Sequence, residues 1–201
     1  MTNAAFADKS YEGRDRQAAW CGIDVVEGEI FHTFMKNEVA SRLYDEEGEQ
    51  EFETYLRGIA TTGFARDSLN TVLAAEVREE RSWAIGEAIA EAYLESEENI
   101  TWPWNMERDK RTPKASLPVV DLIGFEIKNG QFRLALGEVK TSSDIDTLPG
   151  VINGRGGMIH QIDSLAGNLG LINQLLKWLL PRCRSTVHEV SYKVHATSVD
   201  Y

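Results

Sequence analysis

The chain has 201 residues, 42% of them hydrophobic and 26% charged, which suffices for one domain with a sizeable core and an additional helical region. No apolar run reaches the roughly 18 residues of a membrane span, and the first residues lack the apolar stretch of a signal peptide. The two cysteines, Cys21 and Cys183, match no metal-ligand spacing. We therefore expect a cytoplasmic protein with no membrane partner, in which both cysteines are ordinary buried thiols.

The net charge of −11 is unevenly distributed along the chain. Residues 1–100 carry 22 acidic and 9 basic side chains, a net charge of −13, whereas residues 101–201 carry 10 acidic and 12 basic side chains, a net charge of +2. Proteins that bind nucleic acid on their own usually present a basic surface. The asymmetry predicts that the two halves do different jobs.

The hydrophobic spacing of the N-terminal half predicts helices over about residues 26–43, 51–58 and 69–97. The acidic segment 45–49 is expected to form a solvated turn, and Gly86 to mark a break in the third helix. We divide the chain into an acidic, helical N-terminal region, residues 1–70, and a core, residues 71–201. In the third helix Glu87 and Glu91 lie off a predicted buried stripe, which consists of Ile85, Ala88, Ile89, Ala92 and Tyr93.

A loop follows the third helix, because its prolines cannot continue a helix. It carries aromatic and basic side chains suited to stacking a base or gripping a phosphate backbone. For any one of these residues a solvated loop is the simpler interpretation. The residues are Trp102, Trp104, Arg108, Lys110, Arg111 and Lys114.

A β-hairpin is predicted where two apolar, β-branched segments, residues 119–127 and 132–141, flank Asn129-Gly130. The opposite charges of Glu126 and Arg133 then face each other, which supports the register. Pairing Lys128 with Gln131 also brings apolar residues together on one face that must be buried, namely Ile127 with Phe132, Phe125 with Leu134, and Ile123 with Leu136.

The same register places Asp121 directly opposite Glu138, with Cβ atoms about 5 Å apart. Two carboxylates that close repel each other and are costly to desolvate. A divalent cation that prefers oxygen ligands, such as Mg²⁺ or Mn²⁺, compensates both effects. Lys140 lies two residues beyond Glu138 and points to the same face, where an ammonium positions water or balances phosphate charge. The alternative is a salt-bridge cluster of these three residues without chemistry.

These residues resemble the PD-(D/E)XK nuclease superfamily. Its signature is an acid on one strand, a Glu/Asp-x-Lys on the next, and a Glu on the preceding helix. The match reads Pro118-Val119-Val120-Asp121 and Gly137-Glu138-Val139-Lys140, preceded by Gly86-Glu87, and covers about residues 82–180. Two valines separate the acid from the proline, which departs from the common pattern. The resemblance implies an α/β (α+β) fold: a restriction-endonuclease-like mixed central sheet flanked by helices, beside the mostly helical N-terminal region.

The resemblance also implies the role of each residue. Asp121, Glu138 and the backbone carbonyl of Val139 would hold Mg²⁺ or Mn²⁺, and Lys140 would orient or activate the attacking water. Glu87, preferred to Glu91 because it follows a glycine, would add a water-mediated contact. A solvated acid on the helix face is the alternative for Glu87.

Downstream, Gln161 matches a polar residue that family members often carry on the helix after the Glu-x-Lys strand. Arg155 stands among glycines, whose backbone comes close to a ligand, and His160 follows. A flexible loop with a helix starting near Met158 is the alternative. A core stripe then continues at helical spacing through Ile162, Leu165, Leu169, Ile172, Leu175, Leu176 and Leu179.

Together these implications predict a metal-dependent deoxyribonuclease that cuts DNA rather than RNA. The acidic N-terminal half predicts a partner, such as a helicase or another ATPase, that supplies nucleic-acid affinity within a defence or repair complex. The shared core is similar to HamA-type nucleases of anti-phage defence. The alternative is a catalytically silent, nuclease-fold subunit that binds a partner protein or nucleic acid. The four histidines are scattered and no P-loop occurs, which disfavours a small-molecule metallohydrolase and ATP binding by the chain itself.

Overall fold

The computed structural model describes residues 6–15, 18–44, 46–74, 82–102, 120–128, 131–142, 160–161, 163–164 and 167–183. Within these ranges the chain is mixed α+β, with more helix than strand and with small antiparallel sheets. None of the helices in these ranges is long and apolar enough to cross a bilayer. The described strands pair only antiparallel, so the parallel pairing of a mixed sheet is not found among them.

The N-terminal segment forms a β-hairpin that the sequence pattern did not predict. Strand β1 (Ala7–Asp15) pairs antiparallel with β2 (Ala18–Val25), with an irregularity between Lys9 and Tyr11. The predicted helices begin only at about residue 26, so this strand pair lies where the sequence pattern predicted no element. Cys21 on β2 is exposed whereas Cys183 is buried, so the expectation of two buried thiols is correct only for Cys183.

Helices occupy most of the described chain from residue 29 to residue 98. The first begins at Glu29 rather than near Val26, and it passes through a π-helical turn, Met35–Val39. The predicted turn over residues 45–49 is wrong, because residues 46–49 open a helix; Asp45 lies outside the described residues. The helices are α1 (Glu29–Phe34), α2 (Ala40–Leu43), α3 (Glu46–Ile59), α4 (Gly63–Ala74) and α5 (Ser82–Glu98).

Helix α5 is continuous through Gly86, so the predicted break there is wrong. Its apolar stripe is confirmed, since Ala88 and Ala92 are buried and Ile89 packs against the same cluster. That cluster also contains residues from the N-terminal region, which are Phe6, Phe34 and Val39. Apolar burial on folding supplies most of the favourable free energy, so α5 and the N-terminal region share a core across the predicted boundary at residue 70.

The predicted hairpin register is confirmed in every observed strand pair, but the strands stop short of Asp121 and Glu138. Strands β4 (Leu122–Lys128) and β5 (Gln131–Gly137) pair from Lys128↔Gln131 to Leu122↔Gly137 in the predicted register. A short strand, β3 (Ile100–Thr101), adds to β4 on its other edge. The turn residues Asn129 and Gly130 lie outside the described residues.

Helix α6 (Leu169–Cys183) covers one face of this hairpin. Its Leu175 and Leu179 form a buried cluster with Ile123 and Val120, as expected for the predicted stripe, and Leu134 and Leu136 pack against the cluster. Leu169 is exposed and does not belong to the buried stripe, and Ile162 and Leu165 lie outside the described residues. Ile123 and Phe125 are buried, as predicted for the apolar face, but Leu122 and Gly124 on the other face of β4 are buried as well.

Candidate active site

The end of the β4–β5 hairpin brings Asp121 beside Glu138 and Val139. The backbone N–H of Asp121 donates to the carbonyl of Gly137 at 3.1 Å, whereas a regular continuation of the register would pair Asp121 with Glu138. The N–H of Val139 donates to Oδ2 of Asp121 at 2.8 Å. The Asp121 carboxylate is therefore anchored on the segment that carries Glu138, but the predicted direct pairing of Asp121 with Glu138 is not among the observed strand pairs.

Glu138 and Lys140 form an ion pair at the same end of the hairpin. The Nζ of Lys140 donates to Oε1 of Glu138. The Glu138 side chain is only 6% exposed and that of Lys140 is 25% exposed. A carboxylate withdrawn from water to this degree needs a positive charge beside it. The contact is compatible with a structural and with a catalytic role of the cluster, because in both the lysine faces the carboxylate.

Helix α5 lies directly against the segment that follows Lys140. A Cβ built on Gly86 would come within 2.8 Å of Cγ2 and 3.1 Å of Oγ1 of Thr141. Real Cβ atoms do not approach another atom that closely, so the helix reaches this position because residue 86 has no side chain. Glu87 is the next residue on α5 and is half-buried. The packing thus brings the helix that carries Glu87 to the strand end that carries Glu138 and Lys140.

Glu91, the other acid considered on α5, has a structural environment. Its side chain is buried, and its Oε2 lies 3.7 Å from Nε of Arg42 on α2. Arg42 also pairs with Glu95 one turn further along α5 and with Glu38. Glu91 therefore joins α5 to α2, which agrees with the preference for Glu87 as the functional acid.

Trp102 also has a structural role, which disfavours the idea that it stacks on a base. Its Nε1 donates to the backbone carbonyl of Glu91 at 3.0 Å. Its ring lies over Gly124 on β4, where a Cβ would come within 2.7 Å of Cε3. The rest of the basic loop, from residue 103 to residue 119, lies outside the described residues.

Gln161 is helical and half-buried, next to an exposed His160. Among the described residues, its Oε1 is a buried acceptor for which no hydrogen-bond partner is found. Buried polar atoms almost always have a partner in folded proteins, so an orphaned acceptor indicates a place for a donor such as water. Arg155 and its neighbouring glycines lie outside the described residues.

The donor set fits a hard divalent cation with few protein ligands. Within the part of the chain that the structure describes, no three His, Cys, Asp or Glu side chains cluster closely enough to hold a metal ion. Asp121 and Glu138 offer carboxylate oxygens, and Val139 offers a backbone carbonyl. Mg²⁺ is commonly held by one or two carboxylates while it keeps several waters, so this set meets its requirement without a third acidic side chain.

Sequence reasoning missed the two residues that fix α5 in place, Arg42 and Thr141. Arg42 carried one usable signal, because Glu38 stands one helical turn before it. Its partners on α5 are distant along the chain, and no local pattern predicts them. The contact of Thr141 with Gly86 likewise joins distant segments.

No protein-family model, curated protein or solved structure matches the chain.

Proposed function

We propose that the chain is a metal-dependent nuclease that hydrolyses phosphodiester bonds in DNA, with its active site at the end of the β4–β5 hairpin. The observation that carries the proposal is the hairpin register. Just beyond the last strand pair, the Val139 N–H donates to the Asp121 carboxylate and Glu138 pairs with Lys140. The order of a helix acid, a strand acid and an acid-x-Lys supports the same chemistry.

Asp121, Glu138 and the Val139 carbonyl are the residues that would hold Mg²⁺ or Mn²⁺. Such a cation lowers the pKa of a bound water and stabilises charge on phosphate. The Asp121 carboxylate has about four lone-pair sites, so accepting one N–H leaves it able to bind a cation. With Glu138 engaged by such a cation, the Lys140 ammonium would be free to donate hydrogen bonds to water or to a phosphate oxygen.

Glu87 and Gln161 are proposed to orient the attacking water. The helix that carries Glu87 packs against Thr141, because the residue before Glu87 is a glycine. Gln161 contributes its unpartnered Oε1 as an acceptor for a water proton. Each would hold the attacking water by a hydrogen bond. The contribution to the rate would come from the orientation of that water rather than from a charge.

The net charge of −11 supports a proposal about context. Phosphate contacts dominate affinity for DNA and need lysine and arginine. We propose that the chain works in a multi-protein defence or repair complex, in which a partner such as a helicase or another ATPase supplies DNA affinity.

The second candidate is a catalytically silent subunit with a nuclease-like hairpin. The direct contact of Lys140 with Glu138 favours it, because this pair satisfies both charges without a cation. In that case Asp121, Glu138 and Lys140 hold the hairpin end together, and the chain acts through partner binding alone.

The test is cleavage of labelled plasmid and single-stranded DNA with Mg²⁺, Mn²⁺ or EDTA, by the wild type and by Asp121→Asn and Lys140→Ala. We expect metal-dependent cutting and a loss of about 10²-fold or more in rate in each variant, typical for removal of a group that stabilises the transition state. Matched controls are Asp67→Asn and Lys36→Ala, which change exposed residues and should keep full activity.

Cutting that persists in both site variants would place the chemistry elsewhere. If the wild type does not cut, calorimetric titration with Mn²⁺ decides between the two candidates. Binding that Asp121→Asn abolishes indicates a nuclease that requires its partner. Absence of binding indicates the silent subunit.

A further inference from the structure

Helices α3 and α4 form a helical hairpin with little attachment to the rest of the described chain. They contact each other, and Nη1 of Arg57 on α3 donates to Oδ1 of Asn70 on α4 at 3.0 Å. Neither packs extensively on any other described element, and none of their described side chains is buried. Helices of 14 and 12 residues are marginal in water unless an apolar face is covered.

An apolar stripe runs along α3. Phe52, Tyr55 and Ile59 recur at the spacing of one helix face, and they are 57%, 67% and 59% exposed. On α4, Phe64 is 84% exposed and Val72 is 65% exposed. Large apolar side chains that recur on one face and stay in water mark an interaction site. We refer to Phe52, Tyr55 and Ile59 as the α3 stripe.

The charge around the α3 stripe restricts what can cover it. Helix α3 contains five glutamates and one arginine, and that arginine, Arg57, is already paired with Glu53 at 2.6 Å. Helical geometry places Glu51 on one flank of the stripe. A covering surface therefore needs an apolar centre and a basic rim, since opposite potentials favour an interface and like charges oppose it.

This charge pattern disfavours the other possible occupants. A second copy of the chain would bring the same five glutamates to the interface and a net charge of −11. Anionic lipid and nucleic acid would meet the same repulsion.

We propose that the α3–α4 hairpin is a docking arm, whose α3 stripe inserts into an apolar groove rimmed by lysine and arginine on a different protein. Tyr55 lies between Phe52 and Ile59 and is the central anchor, because aromatic side chains at the centre of an interface carry much of its binding energy. The docking arm is independent of the proposed chemistry and operates whether or not the chain cleaves DNA.

The test uses the full chain with the photo-crosslinking residue p-benzoylphenylalanine at position 55, expressed in its native host. The same residue at Thr54, which is exposed on the opposite face of α3, is the matched control. We expect position 55 to crosslink to another protein, at a mapped peptide that lies in an apolar groove with lysine or arginine at its rim. Position 54 should crosslink at background level.

A charge reversal checks the rim. In the crosslinking chain, Glu51→Lys should lower the yield about tenfold or more, because like charges now face each other. Reversing the charge of the mapped partner residue should restore the yield. Glu27→Lys changes the net charge equally at an exposed site outside the arm and should leave the yield unchanged.

Four results would overturn the proposal. They are a crosslink to a second copy of the chain, a crosslink to an acidic or purely polar surface, equal yields from positions 54 and 55, and a yield that Glu51→Lys does not change. Circular dichroism of each variant verifies that the arm remains helical. The readout involves no DNA cleavage, so its failure would not bear on the proposed activity.

Discussion

Asp121 has two separable tasks at the hairpin end, one structural and one proposed. As an acceptor for the Val139 N–H at 2.8 Å, its side chain anchors the segment that follows the last strand pair. As a negative charge, it is proposed to bind the cation. Asparagine retains an oxygen acceptor and loses the charge, whereas alanine loses both.

We therefore expect Asp121→Asn to keep the free energy of unfolding within about 1 kcal/mol of the wild type, and Asp121→Ala to lose about 1–3 kcal/mol because the part-buried N–H is left unpaired. Both should lose Mn²⁺ binding. Urea unfolding and calorimetry measure the two effects, with Asp67→Ala as an exposed control. Equal destabilisation by asparagine and alanine would show that the charge, rather than the acceptor, stabilises the hairpin end.

The burial of Cys183 predicts that the free energy of unfolding depends on pH in the alkaline range. Burial raises the pKa of its thiol from 9.0 to about 11. The unfolded thiol therefore ionises at lower pH than the folded thiol, and the stabilisation is complete below pH 9.0 and is lost as pH rises to about 11. We expect the free energy of unfolding to fall across this window in the wild type and to fall less in Cys183→Ala.

Thiol labelling at about pH 8, just below the ordinary thiol pKa, provides an independent check of the same burial. The exposed Cys21 should react with a thiol reagent at once, and the buried Cys183 only as urea unfolds the chain. A Cys21→Ser variant should retain the slow phase alone. Two fast thiols in the folded wild type would contradict the burial of Cys183.

At the scale of the element, the position of α5 depends on a missing side chain. In an ordinary helix interior, Gly→Ala adds about 1 kcal/mol of stability. At position 86 we expect Gly86→Ala instead to destabilise the protein by about 1–2 kcal/mol, because the new methyl meets Thr141. Thr141→Ser removes the atom that lies 2.8 Å from the new Cβ, so the double variant should recover most of the loss.

Gly58 is the matched control, because it lies in α3 and a Cβ added there would meet nothing within 4 Å. Gly58→Ala should increase helicity and stability in the ordinary way. Urea unfolding followed by circular dichroism measures all four variants. If Gly86→Ala stabilises the protein, α5 does not press on Thr141. The packing then no longer supports a position of Glu87 near the candidate site.

Local signals account for the elements that the sequence predicted correctly. Asn129-Gly130 and alternating apolar residues specified the β4–β5 register to the residue. The same register predicted that Asp121 lies close to the segment with Glu138 and Lys140, and the hydrogen bond from the Val139 N–H to Asp121 agrees with it. That these residues form a site stays a prediction. The closeness was predictable because neighbouring strands translate sequence spacing directly into spatial neighbours.

The errors at element scale arise where a residue has two physical effects. Acidic residues favour solvated turns, but they also stabilise the first turn of a helix through its dipole, and α3 begins in the acidic run. Gly86 weakens helix propensity, but close packing required it. Strand β1 is mostly polar, so its pairing with β2 left no apolar alternation to detect.

At the scale of the whole molecule, α5 links an apolar cluster to the β4–β5 hairpin. Its buried alanines complete the cluster with Phe6, Phe34 and Val39, and it also contacts β4, which packs on α6 through Ile123. These contacts join residues that are far apart along the chain, which no periodicity predicts. The boundary predicted at residue 70 therefore separates segments that bury each other.

The ion pairs of Arg42 connect the segment ahead of the docking arm to helix α5. Arg42 lies near the end of α2, just ahead of the arm, and its guanidinium holds Glu91 and Glu95 on α5. The opposite end of α5 rests on Thr141 beside Lys140. One helix therefore joins the base of the arm to the segment of the proposed metal-binding carboxylates, although each proposal stands without the other.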